Sequence, residues 1–242
     1  MAGYTKRPQW LKLGVLEPAI LNRTTKFTRD LKLQQRLVQA RAEGRIGDVI
    51  LLLEHPPVFT IGRFKGGEDI IVPPETLARE GIAVFNTDRG GGITYHGPGQ
   101  LVGYPIVNLK ENGLGVREYI WKLEAAIIKT LLALGIQGHR LAGYPGVWAN
   151  GKKVCSIGIH VSHGITTHGF ALNVNNDLRS FDYIRPCGLQ GEVMTSISEL
   201  TGHTVETGEI IEKFLPSFAE TFGLSCEQET DRWLATLDAR SG

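Results

Sequence analysis

The sequence predicts a mixed α+β domain in which a largely antiparallel sheet is flanked by helices. Three observations carry this expectation. Strand-like apolar runs and helix-like periodicities follow one another without the regular strand–helix–strand beat of a doubly wound parallel sheet. Two alternating segments, Lys153 to Val161 and Thr166 to Val174, flank the turn His163-Gly164 and read as a β-hairpin, whose strands must be antiparallel. Before that hairpin, Val116, Ile120, Leu123, Ile127, Leu131 and Leu134 fall on one stripe with Gly135 as a stop, the pattern of a helix laid on a core.

The remaining elements follow in order. Pro18 to Arg41 places Ile20, Phe27, Leu31, Gln34, Leu37 and Val38 at three- and four-residue intervals before Gly44, and reads as a helix. Asp48 to Glu54 is continuously apolar through Val49-Ile50-Leu51-Leu52-Leu53, as for a central strand buried on both faces. His55-Pro56-Pro57 ends it, and Val58 to Ile61 resumes as a further strand. Pro74 to Arg79 reads as a short helix, with Ala83 to Asn86 and Val102 to Asn108 as strands. Helices are expected again at Glu192 to Leu200 and at Glu209 to Phe222. The 242 residues suit one domain, 1–242, with room for a small helical C-terminal lobe from about residue 203.

Composition excludes several classes. Lys and Arg number 26 against 25 Asp and Glu, so no net field points to nucleic acid or an anionic membrane as a partner. No apolar run approaches a membrane span, and the opening Met-Ala-Gly-Tyr-Thr-Lys-Arg-Pro lacks the apolar core of a secretory signal, so a cytoplasmic protein is expected. Cys155, Cys187 and Cys226 are odd in number and widely spaced, which suits free thiols in a reducing compartment and shows no zinc spacing.

The most informative segment is Arg89-Gly90-Gly91-Gly92-Ile93-Thr94-Tyr95-His96-Gly97-Pro98-Gly99-Gln100. Glycines packed this densely allow a backbone to approach a ligand closely and expose its N–H groups. No Gly-Lys-Ser/Thr ending is present, and Gly97-Pro98-Gly99 forbids a helix directly behind the glycines, so neither a P-loop nor a dinucleotide turn fits. Arg89 either binds an anion or braces this loop through a buried carboxylate.

Cys187 sits in Arg185-Pro186-Cys187-Gly188-Leu189, where proline stiffens one side and glycine frees the other, presenting either a thiol with backbone N–H groups around it or a packed small hydrophobe. A nucleophilic cysteine needs a cationic or basic neighbour. Strand alternation puts Lys153 in phase with Cys155, Ile157, Ile159 and Val161, the more apolar face, where desolvation is expected to lower its pKa and suit it to acid–base work. His96 and His168 each follow a Thr-rich strand end and are alternative bases or pocket-shaping groups.

The glycine segment, Lys153-Val154-Cys155-Ser156-Ile157-Gly158, His168-Gly169-Phe170-Ala171-Leu172-Asn173 and Pro186-Cys187-Gly188, in this order and spacing, resemble the lipoyl(octanoyl) transferase family, as does Glu54-His55-Pro56-Pro57-Val58-Phe59-Thr60-Ile61-Gly62. The resemblance weakens only in the first ten residues or so and beyond about Glu206. It implies a fold shared with biotin and lipoate protein ligases, and transfer of an octanoyl group from acyl carrier protein to a lysine of a lipoyl domain through a cysteine thioester. By motif, Cys187 is the implied nucleophile and Lys153 the residue that tunes it. The implied substrate contacts are Arg89, Gly90, Gly91, Gly92, Ile93, Thr94, Tyr95 and His96, then Ser156, Ile157 and Gly158, then His168, Gly169, Phe170 and Ala171.

The same resemblance implies the partners: acyl carrier protein as donor, and as acceptors the lipoyl domains of dehydrogenase E2 subunits and the glycine-cleavage H protein. A thioester donor is already activated, so neither ATP nor a metal is expected. An eight-carbon chain must be buried, which requires an apolar tunnel near the glycine loop. A basic rim for an acidic carrier protein is expected from Arg63, Lys65, Lys110 and Arg117. A monomer is expected, because no long apolar surface stripe remains unassigned.

Overall fold

The computed structural model describes residues 10–15, 27–64, 67–185 and 194–229. Its main sheet has eight strands: β1 (Trp10–Val15), β2 (Asp48–Leu53), β6 (Gln100–Ile106), β7 (His139–Leu141), β8 (Tyr144–Ala149), β9 (Lys152–Ser162), β10 (Ile165–Asn173) and β11 (Ser225–Glu229). Their order is β11-β1-β2-β6-β10-β9-β8-β7. β1 runs parallel to both neighbours and every other pair is antiparallel, as the sequence predicts for most of the sheet. A second sheet centres on β3 (Val58–Ile61), parallel to β4 (Ala83–Asn86) and antiparallel to β5 (Ile93–His96).

Local sequence accounts for most of these elements. β2 is buried at every position and lies between β1 and β6, where an apolar run loses nothing on either face. The turn between β9 and β10 holds His163 at φ 52° and Gly164 at φ 80°, the paired left-handed residues that match the twist of a two-residue hairpin. β7 and β8 were not anticipated, because the Tyr144-Pro145-Gly146 start of β8 carries turn residues that hide a strand.

The helices are α1 (Phe27–Ala42), α2 (Pro74–Arg79), α3 (Val116–Leu132), α4 (Ile197–Thr201) and α5 (Thr207–Phe222). Of the helix expected from Pro18, residues 18–26 lie outside the described residues. The helix expected from Glu192 is corrected: α4 begins only at Ile197, because the Ser196 hydroxyl accepts from the Glu199 N–H and caps it there. Just before, Met194 bridges to Lys153 and the Thr195 N–H donates to the Lys153 carbonyl, so this stretch is extended.

Two layers of core sandwich the main sheet. On one face Leu123, Ile127 and Leu131 of α3 meet Phe214 and Phe218 of α5 over Leu101, Val147 and Phe170. Thus α5, where the sequence leaves room for a separate lobe, packs into the central core. On the other face Leu37 and Ala40 of α1 cover Val49, Val102, Tyr104 and Ala171. The small sheet has its own cluster around Phe59, Ile93, Tyr95 and Phe181.

Candidate active site

β8 pairs with β9 only as far as Gly146 opposite Ser156, so the outer edge of β9 beyond Ser156 has no strand neighbour. The glycine loop takes that edge. The Gly90 N–H donates to the Ile159 carbonyl at 2.8 Å, and a Cβ on Gly158 would stand 2.8 Å from the Gly90 oxygen. Only glycine permits this approach of two backbones. Gly91, at φ 87°, turns the loop into β5.

A cavity of about 440 Å³ lies between the loop, β9, β10 and the start of α3. From the loop and β5, Arg89, Gly90, Gly91, Ile93, Thr94 and His96 line it. Lys153, Ser156, Ile157 and Gly158 line it from β9, and His168, Gly169, Phe170 and Ala171 from β10. Two residues of the same motif do not: Gly92 turns its carbonyl to the Gly62 N–H, and Tyr95 packs between Phe59 and Phe181. The sequence missed Phe27, Thr60, Tyr104, Val116, Ile120 and Tyr144, which join the lining from α1, β3, β6, α3 and β8. Thr60 falls within the Glu54 to Gly62 segment but carried no assigned contact, and no motif marks the other five, each an ordinary position of its own element.

Lys153 lies on the opposite sheet face from the one that alternation predicts. Val147 pairs with Cys155 and Trp148 with Lys153, so Val154 is an extra residue on β9, a bulge that reverses the phase. Lys153 therefore shares the face of Trp148, and its ammonium stands 4.8 Å from the centre of that indole ring. Its side chain is buried at the edge of the cavity. Cys155 keeps the other face, within the core, and burial pushes its thiol up, so it is inert as a nucleophile.

Behind the cavity the polar groups form connected chains. Arg89 is buried and braces the loop: Nε donates to the Thr60 hydroxyl at 3.1 Å, Nη2 to the Thr60 carbonyl, and Nη1 to the Gly90 carbonyl at 3.0 Å. These bonds give Arg89 a loop-bracing role, with carbonyl and hydroxyl oxygens among its partners. His96 Nδ1 lies 2.9 Å from Gln100 Oε1, while Gln100 Nε2 donates to the Tyr95 carbonyl and to Asn173 Oδ1. That fixes the Gln100 amide and makes His96 Nδ1 the protonated nitrogen. Burial takes the His96 pKa down to about 3 against the help of Gln100, so the ring is neutral.

His168 is held from two sides. Its backbone N–H donates to Gln34 Oε1 of α1 at 2.8 Å, and its Nε2 lies 2.7 Å from Asp88 Oδ1. Its φ is 56°, left-handed inside a strand, and the ring reaches Asp88 and the edge of Tyr104, whereas Phe170, in phase with it, packs on Phe214 across the sheet. Burial lowers the His168 pKa, and Asp88 only partly offsets this. Burial works to raise the Asp88 carboxyl, yet His168 and His160 together hold it below its ordinary value.

Cys187, with Pro186, Gly188 and Leu189, lies outside the described residues. The flanks of that segment are anchored. The Arg185 N–H donates to the Asp69 carbonyl at 2.8 Å, and the chain resumes at Met194 beside Lys153. Among the described residues no group of three or more His, Cys, Asp or Glu side chains is arranged to hold a metal ion, and no helix is long and apolar enough to cross a membrane.

A family model of lipoyl protein ligase A/B catalytic domains matches residues 27–219. The chain belongs to that family. Within it, the chain is 46% identical over 211 residues to an octanoyltransferase of Acidobacterium capsulatum, covering 81% of this chain and 85% of the relative. It is 44% identical to an octanoyltransferase of Roseiflexus sp. (strain RS-1), covering 85% and 88%. This member of the lipoyl protein ligase A/B family is an acyltransferase of the octanoyltransferase kind. Its fold is that of lipoate protein ligases. It superposes with a TM-score of 0.72 on a lipoate-protein ligase A bound with ATP, and with 0.70 on a putative lipoate protein ligase from T. acidophilum with bound lipoic acid. Both are 17% identical to it, and each superposition covers 96% of this chain and 94% of the other.

Proposed function

We propose that octanoyl transfer by this enzyme runs from octanoyl-acyl carrier protein, through a thioester on Cys187, to a specific lysine of a lipoyl domain. The observation that carries the proposal is the juxtaposition at Lys153: a buried amine at the edge of the cavity, with the chain that follows Cys187 hydrogen-bonded to its backbone. The cavity next to it is lined by Ile93, Ile157, Ile159 and Phe170, an apolar setting suited to a fatty chain.

In this scheme the Cys187 sulfur attacks the donor thioester carbonyl, the new C–S bond forms as the carrier's C–S bond breaks, and the carrier thiol leaves with the proton of Cys187. The acceptor lysine then attacks the enzyme thioester. An amide C–N bond replaces the C–S bond, and of the two protons lost by the ammonium one returns to the Cys187 sulfur and one leaves to solvent. Lys153 exchanges these protons at its Nζ. The donor is already a thioester, so the scheme uses no ATP and no metal.

Intact-protein mass spectrometry tests the proposal. The full chain is mixed with octanoyl-acyl carrier protein without ATP or magnesium, beside Cys187→Ala. One octanoyl adduct on the native chain, absent from the variant and discharged by a lipoyl domain, is the expected result. No adduct, with lipoyl-domain modification only when free octanoate and ATP are supplied, would assign an ATP-dependent ligase instead.

A further inference from the structure

A buried carboxylate that does not line the cavity reaches Lys153 through the backbone of β8. Strand β8 carries extra residues against β7: His139 pairs with Trp148 and Leu141 with Tyr144, and the register shifts between them. In this irregular stretch each strand turns a donor toward Glu124 of α3. The Glu124 carboxylate takes both, with Oε1 accepting from the Gly146 N–H at 3.0 Å and Oε2 from Arg140 Nε at 2.9 Å. Arg140 is itself fixed, its guanidinium 4.3 Å from the centre of the Trp121 ring and its Nη2 donating to the Trp121 carbonyl at 2.9 Å. A buried carboxylate held by two directed bonds leaves the Gly146 peptide little freedom.

Gly146 is where this clamp meets Lys153. Its φ is 137°, a conformation that side chains rarely adopt, and a Cβ there would stand 2.9 Å from Lys153 Cε. The lysine stem therefore lies across the bare Cα of Gly146. Two residues further along β8 is Trp148, whose ring centre is 4.8 Å from the ammonium. The space that the stem occupies exists only while the Gly146 peptide keeps this orientation.

We infer that Glu124 is a positioning residue for the reaction: through the Gly146 peptide it sets where the Lys153 amine stands. The inference rests on the reading of Lys153 as the group that exchanges protons during acyl loading. Glu124 touches no substrate in this role, and its effect passes through Lys153. Removing Lys153 therefore removes the effect of a change at Glu124, whereas a residue that merely supports the fold would show its effect in either background.

The test is a double-mutant cycle on the full chain. Single-turnover loading from octanoyl-acyl carrier protein is followed by intact mass for the native enzyme, Glu124→Leu, Lys153→Ala and the two combined, with folding checked by thermal melts. Glu124→Leu is expected to slow saturating loading at least tenfold, with the half-saturating donor concentration changed less than threefold. Added to Lys153→Ala, it is expected to change the rate less than twofold. Equal slowing in both backgrounds overturns the inference, since Glu124 would then serve only the fold, and so does a folded Glu124→Leu that loads at the native rate. Should Glu124→Leu not fold, Glu124→Gln decides in the same cycle, because it keeps an acceptor for Gly146 but not the ion pair with Arg140. It is expected to slow loading at least threefold in the native background and not beside Lys153→Ala, and a smaller or equal effect overturns the inference. A native chain that loads no octanoyl group, or a Lys153→Ala chain that loads as fast as the native one, would instead defeat the reading of Cys187 and Lys153, and the inference with it.

Discussion

The Lys153 ammonium stands 4.8 Å from the centre of the Trp148 indole, across a bulge that places the two side chains on one face of the sheet. A ring face this close attracts a cation and limits where the amine points. Lys153→Ala is expected to slow thioester formation by about 10²- to 10⁴-fold, the usual range for a lost proton-transfer group. Trp148→Leu removes roughly 0.5 to 2 kcal/mol of positioning and is expected to slow it about 3- to 30-fold. Single-turnover adduct formation measures both.

The cysteines separate by environment. Cys155 is buried in the core with its thiol pushed up, so Cys155→Ala is expected to load octanoate at the native rate with a stability loss of about 1 kcal/mol. Cys187→Ala is expected to load none, and Cys187→Ser very little, because a hydroxyl is a far weaker nucleophile without a stronger base. Alkylation of the folded native chain, mapped by peptide mass, should leave Cys155 unmodified.

Gly158 is where the loop and β9 touch. Alanine there would bring its Cβ to 2.8 Å from the Gly90 oxygen, a backbone atom that can yield only if the loop moves. Gly158→Ala is expected to cost about 1 to 3 kcal/mol of stability and to reduce acyl loading. Thermal melts beside loading rates measure the two effects.

Burial raises the Asp30 carboxyl from 3.8 to about 7, against a smaller opposing effect of Arg29. Between about pH 4 and 7 the folded protein thus holds a proton that the unfolded chain has released. Stability from this group is complete below about pH 4 and is lost as the pH rises toward 7, a span equivalent to roughly 4 kcal/mol. Asp30→Asn removes the titration. Relative to native protein, the variant is therefore expected to gain stability between pH 5 and pH 8, and melting curves across that range would show it. Parallel curves for the two proteins would contradict it.

Much of this protein is written in local pattern. The apolar run of β2, the stripe of α3, the His163-Gly164 turn and the glycine loop each depend on residues close in the chain, so period and turn chemistry suffice to place them. The motif residues Arg89, His96, Lys153, Ser156 and His168 meet at one cavity as their order suggests. Tertiary structure alone decided which way several of them face. The Val154 bulge and the left-handed φ of His168 both break the two-residue alternation of a strand, and neither is dictated by a local pattern. Part of the cavity lining was equally hidden: Phe27, Tyr104 and His168 come from three elements and meet only once α1 lies on the sheet. Strand phase is a property of one segment, whereas a bulge or a cavity wall is settled by the packing of several segments at once.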